Sequence, residues 1–266
     1  MARTTGGRAP NMIYTALEAR AALEYPLFAV LQPMLENLPH GDGHPVLVLP
    51  GFTAADRSTV PMRGWLRRLG YRTYGWKLGA NLGPTPRIVQ GLEQRFQSIV
   101  DREQRRVSIV GWSLGGIFGR ELARNHPDEV RQVVTLGSPI RMLPTDRSAA
   151  KPMWDSLQDL HDQEAIALMS DPNRPALPVP TTSVYTRSDG IVHWKMCLEA
   201  RTDTSENVEV FGSHCGLGFN PQVAMVVSDR LAQAEGHWTH FRPPLWARSA
   251  FLRPAEWEPE DLPFAA

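Results

Sequence analysis

Three residues whose types can together turn a hydroxyl into a nucleophile stand far apart in this chain, each just behind a short apolar run: Ser113, Asp189 and His214. A serine hydroxyl is a poor nucleophile near neutral pH. An adjacent imidazole must take its proton, and a carboxylate must hold that imidazole in the right tautomer. Ser113 is the centre of Gly111-Trp112-Ser113-Leu114-Gly115. Apolar Val107, Ile109 and Val110 precede it, and a helix-forming segment from about Leu114 to Arg124 follows. G-x-S-x-G between a strand and a helix is the pattern of a nucleophile elbow, a sharp turn that presents the hydroxyl above the strand ends. Side chains at 111 and 115 would collide with the neighbouring strand and helix. The pentapeptide alone is a weak signal, and its strand–helix context gives it weight.

The acid and the base follow in chain order. Behind the apolar run Thr182 to Thr186 comes Arg187-Ser188-Asp189-Gly190, and behind Val208 to Phe211 comes Gly212-Ser213-His214-Cys215-Gly216. Each has an ordinary reading: Asp-Gly is a common turn pair, and a loop histidine is usually solvated. Among the other histidines, His193 lies only four residues beyond Asp189, and His237 and His240 follow the last helix. Asp203, the rival acid, sits in a polar loop. Attack on a carbonyl also needs two N–H donors for the developing oxyanion. Leu114, after the nucleophile, supplies one. Phe52, in the Pro50-Gly51-Phe52-Thr53 loop after the first strand, supplies the other, and Thr53 could add a hydroxyl. Trp112, Ile191, Val192 and Leu217 make the expected surroundings apolar, which suits an uncharged acyl chain.

The elements that must position these residues alternate between strand and helix. Met12 to Leu38 reads as helix, divided at Pro26. Strands are expected at 45–50, 71–77, 107–110, 131–136, 182–186 and 208–211. Between them fall helices at about 60–69, at 86–103 with Thr85 as N-cap and Pro86 in the first turn, and at 221–234. The alternation predicts a mostly parallel sheet of about six strands with helices on both faces. Ligands of such sheets bind at the carboxyl ends of the strands. Four segments are expected: an N-terminal helical piece over 1–44, a core over 45–140 and 177–235, a lid-like insertion over 141–176 with helical Met153 to Met169, and a tail over 236–266. The insertion reads equally as a packed structural excursion. The tail, with Trp238, Trp246, Phe251 and Trp257, reads as an extended wrap or a contact surface.

With these motifs in place, the chain resembles the α/β-hydrolases of the bacterial lipase and carboxylesterase type. VLVLPGF at 46–52, SIVGWSLGG at 108–116, VTLGSP at 134–139, SDGIV at 188–192 and GSHCGLGFNP at 212–221 carry the resemblance, from about Pro45 to Ala234. It implies the α/β-hydrolase fold, with Ser113 as nucleophile, Asp189 as acid, His214 as base, and Phe52 and Leu114 as oxyanion donors. Two departures stand out: the early antiparallel strands of the full fold are not evident, and Pro50 stands where many lipases carry His.

Composition bounds the reading. The 266 residues are 42% hydrophobic, enough for a buried core, and 28 Lys and Arg balance 28 Asp and Glu, which gives no electrostatic case for nucleic acid. No apolar run reaches a membrane span of about 18–20 residues, and the first residues lack the apolar core of a secretory signal, so a cytoplasmic location is expected. Cys197 and Cys215, the two cysteines, leave open a disulfide between acid and base loops or two free thiols. No metal or cofactor is implied. The expected activity is hydrolysis of carboxylic esters: short- to medium-chain esters, small lipids, or an aliphatic polyester if the cleft is open. Acyl transfer or thioester hydrolysis by the same residues is the alternative, and a non-catalytic binding module is the reading from another class.

Overall fold

A computed structural model describes residues 7–171 and 174–256. Six strands, β1 (Pro45–Leu49), β2 (Arg72–Gly75), β3 (Val107–Trp112), β4 (Val130–Leu136), β5 (Thr181–Tyr185) and β6 (Ser205–Glu209), form one parallel sheet in the order β2-β1-β3-β4-β5-β6. The winding reverses between β1 and β3. The loops leaving those neighbouring strands therefore diverge at their carboxyl ends and leave a crevice. The Gly51–Thr53 loop and the elbow at Ser113 are those two loops.

The helices are α1 (Met12–Ala16), α2 (Ala21–Leu35), α3 (Asp56–Arg68), α4 (Pro86–Glu103), α5 (Leu114–Asn125), α6 (Lys151–Ser156), α7 (Gln163–Met169) and α8 (Pro221–Ala232). Alternate strand residues face opposite sides of the sheet. Val46, Val48, Val110, Val134 and Leu136 join a core with Phe28, Trp65, Leu66, Val223 and Val227 from α2, α3 and α8. Leu47, Leu49, Ile109 and Val133 join a second core with Ile88, Leu92, Phe96, Phe118 and Leu122 from α4 and α5. Truncating such a side chain, Leu92→Ala for example, costs roughly 2–5 kcal/mol. Thr85 caps α4 as its sequence implies, its hydroxyl accepting from Ile88 N–H at 3.2 Å.

Element boundaries depart from expectation in several places: α3 begins at Asp56 rather than near Val60, and β2 is confined to Arg72–Gly75. The N-terminal helix does not divide at Pro26. Pro26 and Pro33 both lie inside α2, and the break is a 3-10 turn at Leu17–Arg20. Proline at 26 removes one intrahelical bond, to the carbonyl of Ala22; both residues are on the exposed side, where water can take that carbonyl. The turn instead points Glu18 inward, to 8% exposure. β6 begins at Ser205, earlier than its apolar residues suggest, because an edge strand needs apolar side chains on one face only. In the tail, Phe241 and Phe251 pack on the first core with ring centroids 5.0 Å apart, while Trp246 is exposed; Trp257 lies outside the described residues.

Residues 140–180 leave β4 and return to β5. Both feet of this insertion are tied down. Ser148 Oγ donates to Ile191 O at 2.9 Å, and Asp162 N–H donates to Pro84 O at 2.8 Å. Between the feet, Trp154 of α6 lies against His161 and against Phe52, with centroid distances of 4.3 Å and 5.4 Å.

Candidate active site

Ser113 sits at the carboxyl end of β3 with φ 53° and ψ −122°, a region a side-chain-bearing residue rarely occupies and that costs of order 1–3 kcal/mol. The surrounding packing enforces it. A β-carbon at Gly111 would lie 2.4 Å from Gly116 Cα, and one at Gly115 would lie 2.5 Å from Leu49 O. Ser113 N–H donates to Leu136 O at 2.8 Å, which pins the elbow to the end of β4.

His214 begins the 3-10 helix His214–Phe219 after β6, and Asp189 lies in the turn after β5. The two meet: His214 Nδ1 is 2.6 Å from Asp189 Oδ2, with the residues 5% and 3% exposed. Asp189 Oδ1 accepts from Ile191 N–H and Val192 N–H at 2.9 and 2.8 Å, so the turn fixes the carboxylate. Burial by itself would depress the imidazole. The Asp189 charge, the hydrogen bond to it and the nearby Glu18 outweigh burial and raise His214 above the usual histidine value. The ring lies at the end of β4, and Trp112 Nε1 donates to His214 O at 3.0 Å from the strand that carries Ser113. Among the described residues, the Ser113 hydroxyl itself makes no hydrogen bond.

The loop after β1 is a turn closed by Ala54 N–H donating to Gly51 O at 3.1 Å, with Thr53 at φ 62°. Asn81 holds it. This fully buried residue accepts Thr53 N–H at 2.7 Å on its carbonyl, donates its own N–H to Ala54 O at 2.8 Å, and donates Nδ2 to Pro50 O at 2.9 Å. Among the described residues, neither Phe52 N–H nor Leu114 N–H has a partner. The second is one of the orphan donors at the start of α5.

Phe52, Ser113, Leu114, Ile191 and Val192 line one cleft of about 420 Å³, to which Trp154, Ile166 and Met169 of the insertion also contribute. Three residues expected beside the substrate lie elsewhere. Trp112 points to the opposite face of the sheet from Ser113 and packs edge-on against Phe219 at 6.3 Å. Leu217 is fully buried beneath His214, against Gly137. Thr53 is exposed. Asn81 and Glu18 bear on the site without a mark in the sequence: an Asn in a polar loop and a Glu in an apolar helix carry no local sign of their distant partners.

Both cysteines are free. Cys197 is buried under the acid loop with Tyr185, Val192 and Met196, while Cys215 is on the surface, so no bridge pins the two loops. Burial pushes the Cys197 thiol up, and partial shielding of the Cys215 sulfur, with Glu18 beside it, pushes that thiol up to about 12. Of the rival residues, His193 caps the 3-10 turn Trp194–Cys197 by accepting Lys195 N–H at 3.2 Å. A second Ser–His–Asp chain exists at the opposite end of the sheet. His44 Nε2 is 2.8 Å from Ser108 Oγ, and its Nδ1 is 2.5 Å from Asp42 Oδ1. Among the described residues, no group of three or more His, Cys, Asp or Glu is placed to hold a metal ion, and no helix is long and apolar enough to cross a membrane.

No protein-family model matches the chain, and no curated protein matches it in sequence. Solved structures do match. Aspergillus fumigatus lipase B superposes with a TM-score of 0.58 at 16% identity, over 74% of this chain and 55% of that one. The chain thus spans little more than half of that lipase. The mature form of Bacillus licheniformis lipase BlEst2 matches at 0.50 and 16% identity, over 74% of this chain and 95% of its own. A pyrethroid hydrolase, PytH, matches at 0.52 and 15% identity, over 74% and 99%. At such identities the likeness defines the architecture: the chain has the α/β-hydrolase fold.

Proposed function

We propose that this chain is a serine hydrolase that cleaves carboxylic esters of short- to medium-chain acids through an acyl-enzyme on Ser113. The observation that carries the reading is one largely apolar cleft that holds a strained serine and, among the described residues, two unpaired N–H donors, together with a buried His–Asp pair in the loops after β5 and β6. Lipases and a pyrethroid hydrolase built on the same architecture support a hydrolytic role.

In this mechanism Ser113 Oγ attacks the ester carbonyl as its proton passes to His214 Nε2, while Asp189 holds Nδ1–H. The carbonyl oxygen, now an anion, accepts from Phe52 N–H and Leu114 N–H; each such donor is worth about 3 kcal/mol in the transition state. Collapse expels the alcohol, which leaves with the proton from His214. Water then attacks the acyl-enzyme, giving one proton to His214 and releasing the acid, and the proton returns to Ser113. The reaction requires His214 Nε2 to reach the Ser113 hydroxyl, a hydrogen bond of the kind that commonly tightens only with substrate bound. The cleft, within the size range of small-molecule sites, suits an acyl group of modest length.

A panel of p-nitrophenyl esters of increasing acyl length, run with Ser113→Ala alongside, tests this. Turnover that peaks at short to medium chains and vanishes in the variant is expected. Equal turnover by the variant would place the centre elsewhere.

A further inference from the structure

We infer that Glu18 is a positioning residue of this site, a buried carboxylate that locks the loops of His214 and Asp189 together and sets a second negative charge against the backbone of residue 214. The inference rests on reading His214 as the general base. Glu18 Oε1 accepts from Gly190 N–H at 2.8 Å and from His214 N–H at 3.0 Å, and Oε2 accepts from Cys215 N–H at 2.9 Å. One side chain from the N-terminal turn thus binds the residue after the acid, the base itself and the residue after the base. A carboxylate is acceptor-only, so it suits three converging donors as no other side chain of its length does.

Arg20 of that turn and the flanking ends of α1 and α2 grip the same two loops. Thr15 Oγ1 donates to Gly190 O at 2.6 Å. Arg20 donates to Ser188 O and to Gly212 O, both at 2.9 Å. Glu24 accepts Ser213 N–H at 2.9 Å and Ser213 Oγ–H at 3.0 Å. The approach is so close that a β-carbon at Gly190 would lie 2.3 Å from Tyr14 O. Apart from local bonds of Thr15 to Asn11 O and Arg20 to Leu17 O, these backbone bonds go to the loops after β5 and β6, and among the described residues none goes to the elbow or to the turn after β1. This clamp does for the acid–base loops what the absent disulfide does not.

The charges around the imidazole are Asp189 and Glu18, with Glu24 and Arg20 one bond further out and the Cys215 thiol alongside. From β3, β4 and the 3-10 helix the neighbours are Trp112, Gly137 and Leu217, all uncharged. Glu18 therefore favours the imidazolium that forms as Ser113 loses its proton, and it fixes the ring's backbone. A misplacement of about 1 Å costs on the order of a hundredfold in rate.

The test compares Glu18→Gln and Glu18→Asp with the unaltered chain. It reads kcat and KM on a p-nitrophenyl ester together with the His214 imidazole titration by NMR, which does not depend on turnover. Glu18→Gln keeps the shape, loses the charge and turns an NH2 toward an N–H donor. Its kcat is expected to fall at least about tenfold with KM changed less than about threefold, and its imidazole midpoint to drop by about half a pH unit or more. Glu18→Asp keeps the charge and falls short of the N–H groups, so kcat falls while the midpoint stays within about 0.3. Wild-type kcat and midpoint in Glu18→Gln would overturn the inference, and so would a lost kcat with an unmoved midpoint, the mark of a merely structural residue. If Glu18→Gln shows no cooperative unfolding, Glu18→Asp decides: reduced kcat at held KM supports the inference and wild-type kcat overturns it. An unaltered chain inert to every ester would defeat the hydrolase reading, yet the imidazole midpoint in Glu18→Gln would still decide the role of Glu18.

Discussion

β3 carries a serine near each end, and each has a histidine and an aspartate in attendance. At the amino end, Ser108, His44 and Asp42 form a continuous hydrogen-bonded chain. At the carboxyl end, His214 and Asp189 are bonded while the Ser113 hydroxyl stands free. On connectivity alone the amino end looks better assembled. Its surroundings count against it. Ser108 and His44 are fully buried, and Ser108 is an ordinary strand residue that does not line the cleft holding Ser113. Burial holds His44 down to about 4, so it stays neutral and serves as a bridge between strands. Burial would raise Asp42, but bonds from Arg131 and His44 outweigh it and hold its carboxyl low. Around Ser113 the serine is strained, the imidazole is raised by its carboxylates, and the nearby N–H groups at 52 and 114 have no partner among the described residues. A polar network that satisfies itself stabilises a fold, whereas a site must keep some donors for its substrate.

The sharpest way to break this contrast is to alter both aspartates. Asp189→Asn leaves the shape but offers an amide to the Nδ1–H that needs an acceptor. Its kcat is expected to fall by about three to four orders of magnitude. Asp42→Asn should leave kcat on a p-nitrophenyl ester within about twofold, because it lies at the far end of the sheet. A large loss in the second variant would mean the amino-end chain contributes to turnover.

The Asn81 side chain ties the turn beside Phe52 only through its Nδ2 to Pro50 O and its Oδ1 to Gly83 N–H, and the two backbone bonds survive substitution, so Asn81→Ala is expected to lower kcat by no more than roughly tenfold, less than removing an oxyanion donor outright. Its KM should move little, and steady-state kinetics on one ester would separate the two.

The amino-end chain should show itself in stability instead. His44 protonates in the unfolded chain near its ordinary value but in the folded chain only at about 4. Stability from its neutral burial is therefore complete above about pH 6.5 and is lost as pH falls from there toward 4, by roughly 3 kcal/mol at most. Urea midpoints at pH 7 and pH 5 should differ more in the unaltered chain than in His44→Phe. Equal differences would mean that His44 does not set the acid sensitivity.

The smallest effect expected is in the thiols. Native protein should react slowly with a disulfide reagent at Cys215, whose thiol is pushed up to about 12, and at Cys197 only after unfolding.

What is legible in the sequence, and what is not, divides by range. The elbow, the Thr85–Pro86 start of α4 and the strand–helix alternation are local patterns, and a few neighbouring residues determine them. The meeting of His214 with Asp189 is legible because both follow strands whose carboxyl ends must share an edge in a parallel sheet. Trp112 departs from its expected place beside the substrate because a neighbour in the chain need not be a neighbour in space. Strand alternation sends the residue before Ser113 to the other face. Glu18 and Asn81 are not legible at all. Glu18 meets partners 172 to 197 positions away, and nothing around it in the helix marks a buried carboxylate. Asn81 lies in a loop where Asn is ordinary.

The most direct measurement is to label the unaltered chain with a fluorophosphonate and map the adduct by peptide mass spectrometry. One adduct is expected, on Ser113, lost in His214→Ala and retained in His44→Phe. An adduct on Ser108, or none on a chain that turns over esters, would contradict the assignment of Ser113 as the nucleophile.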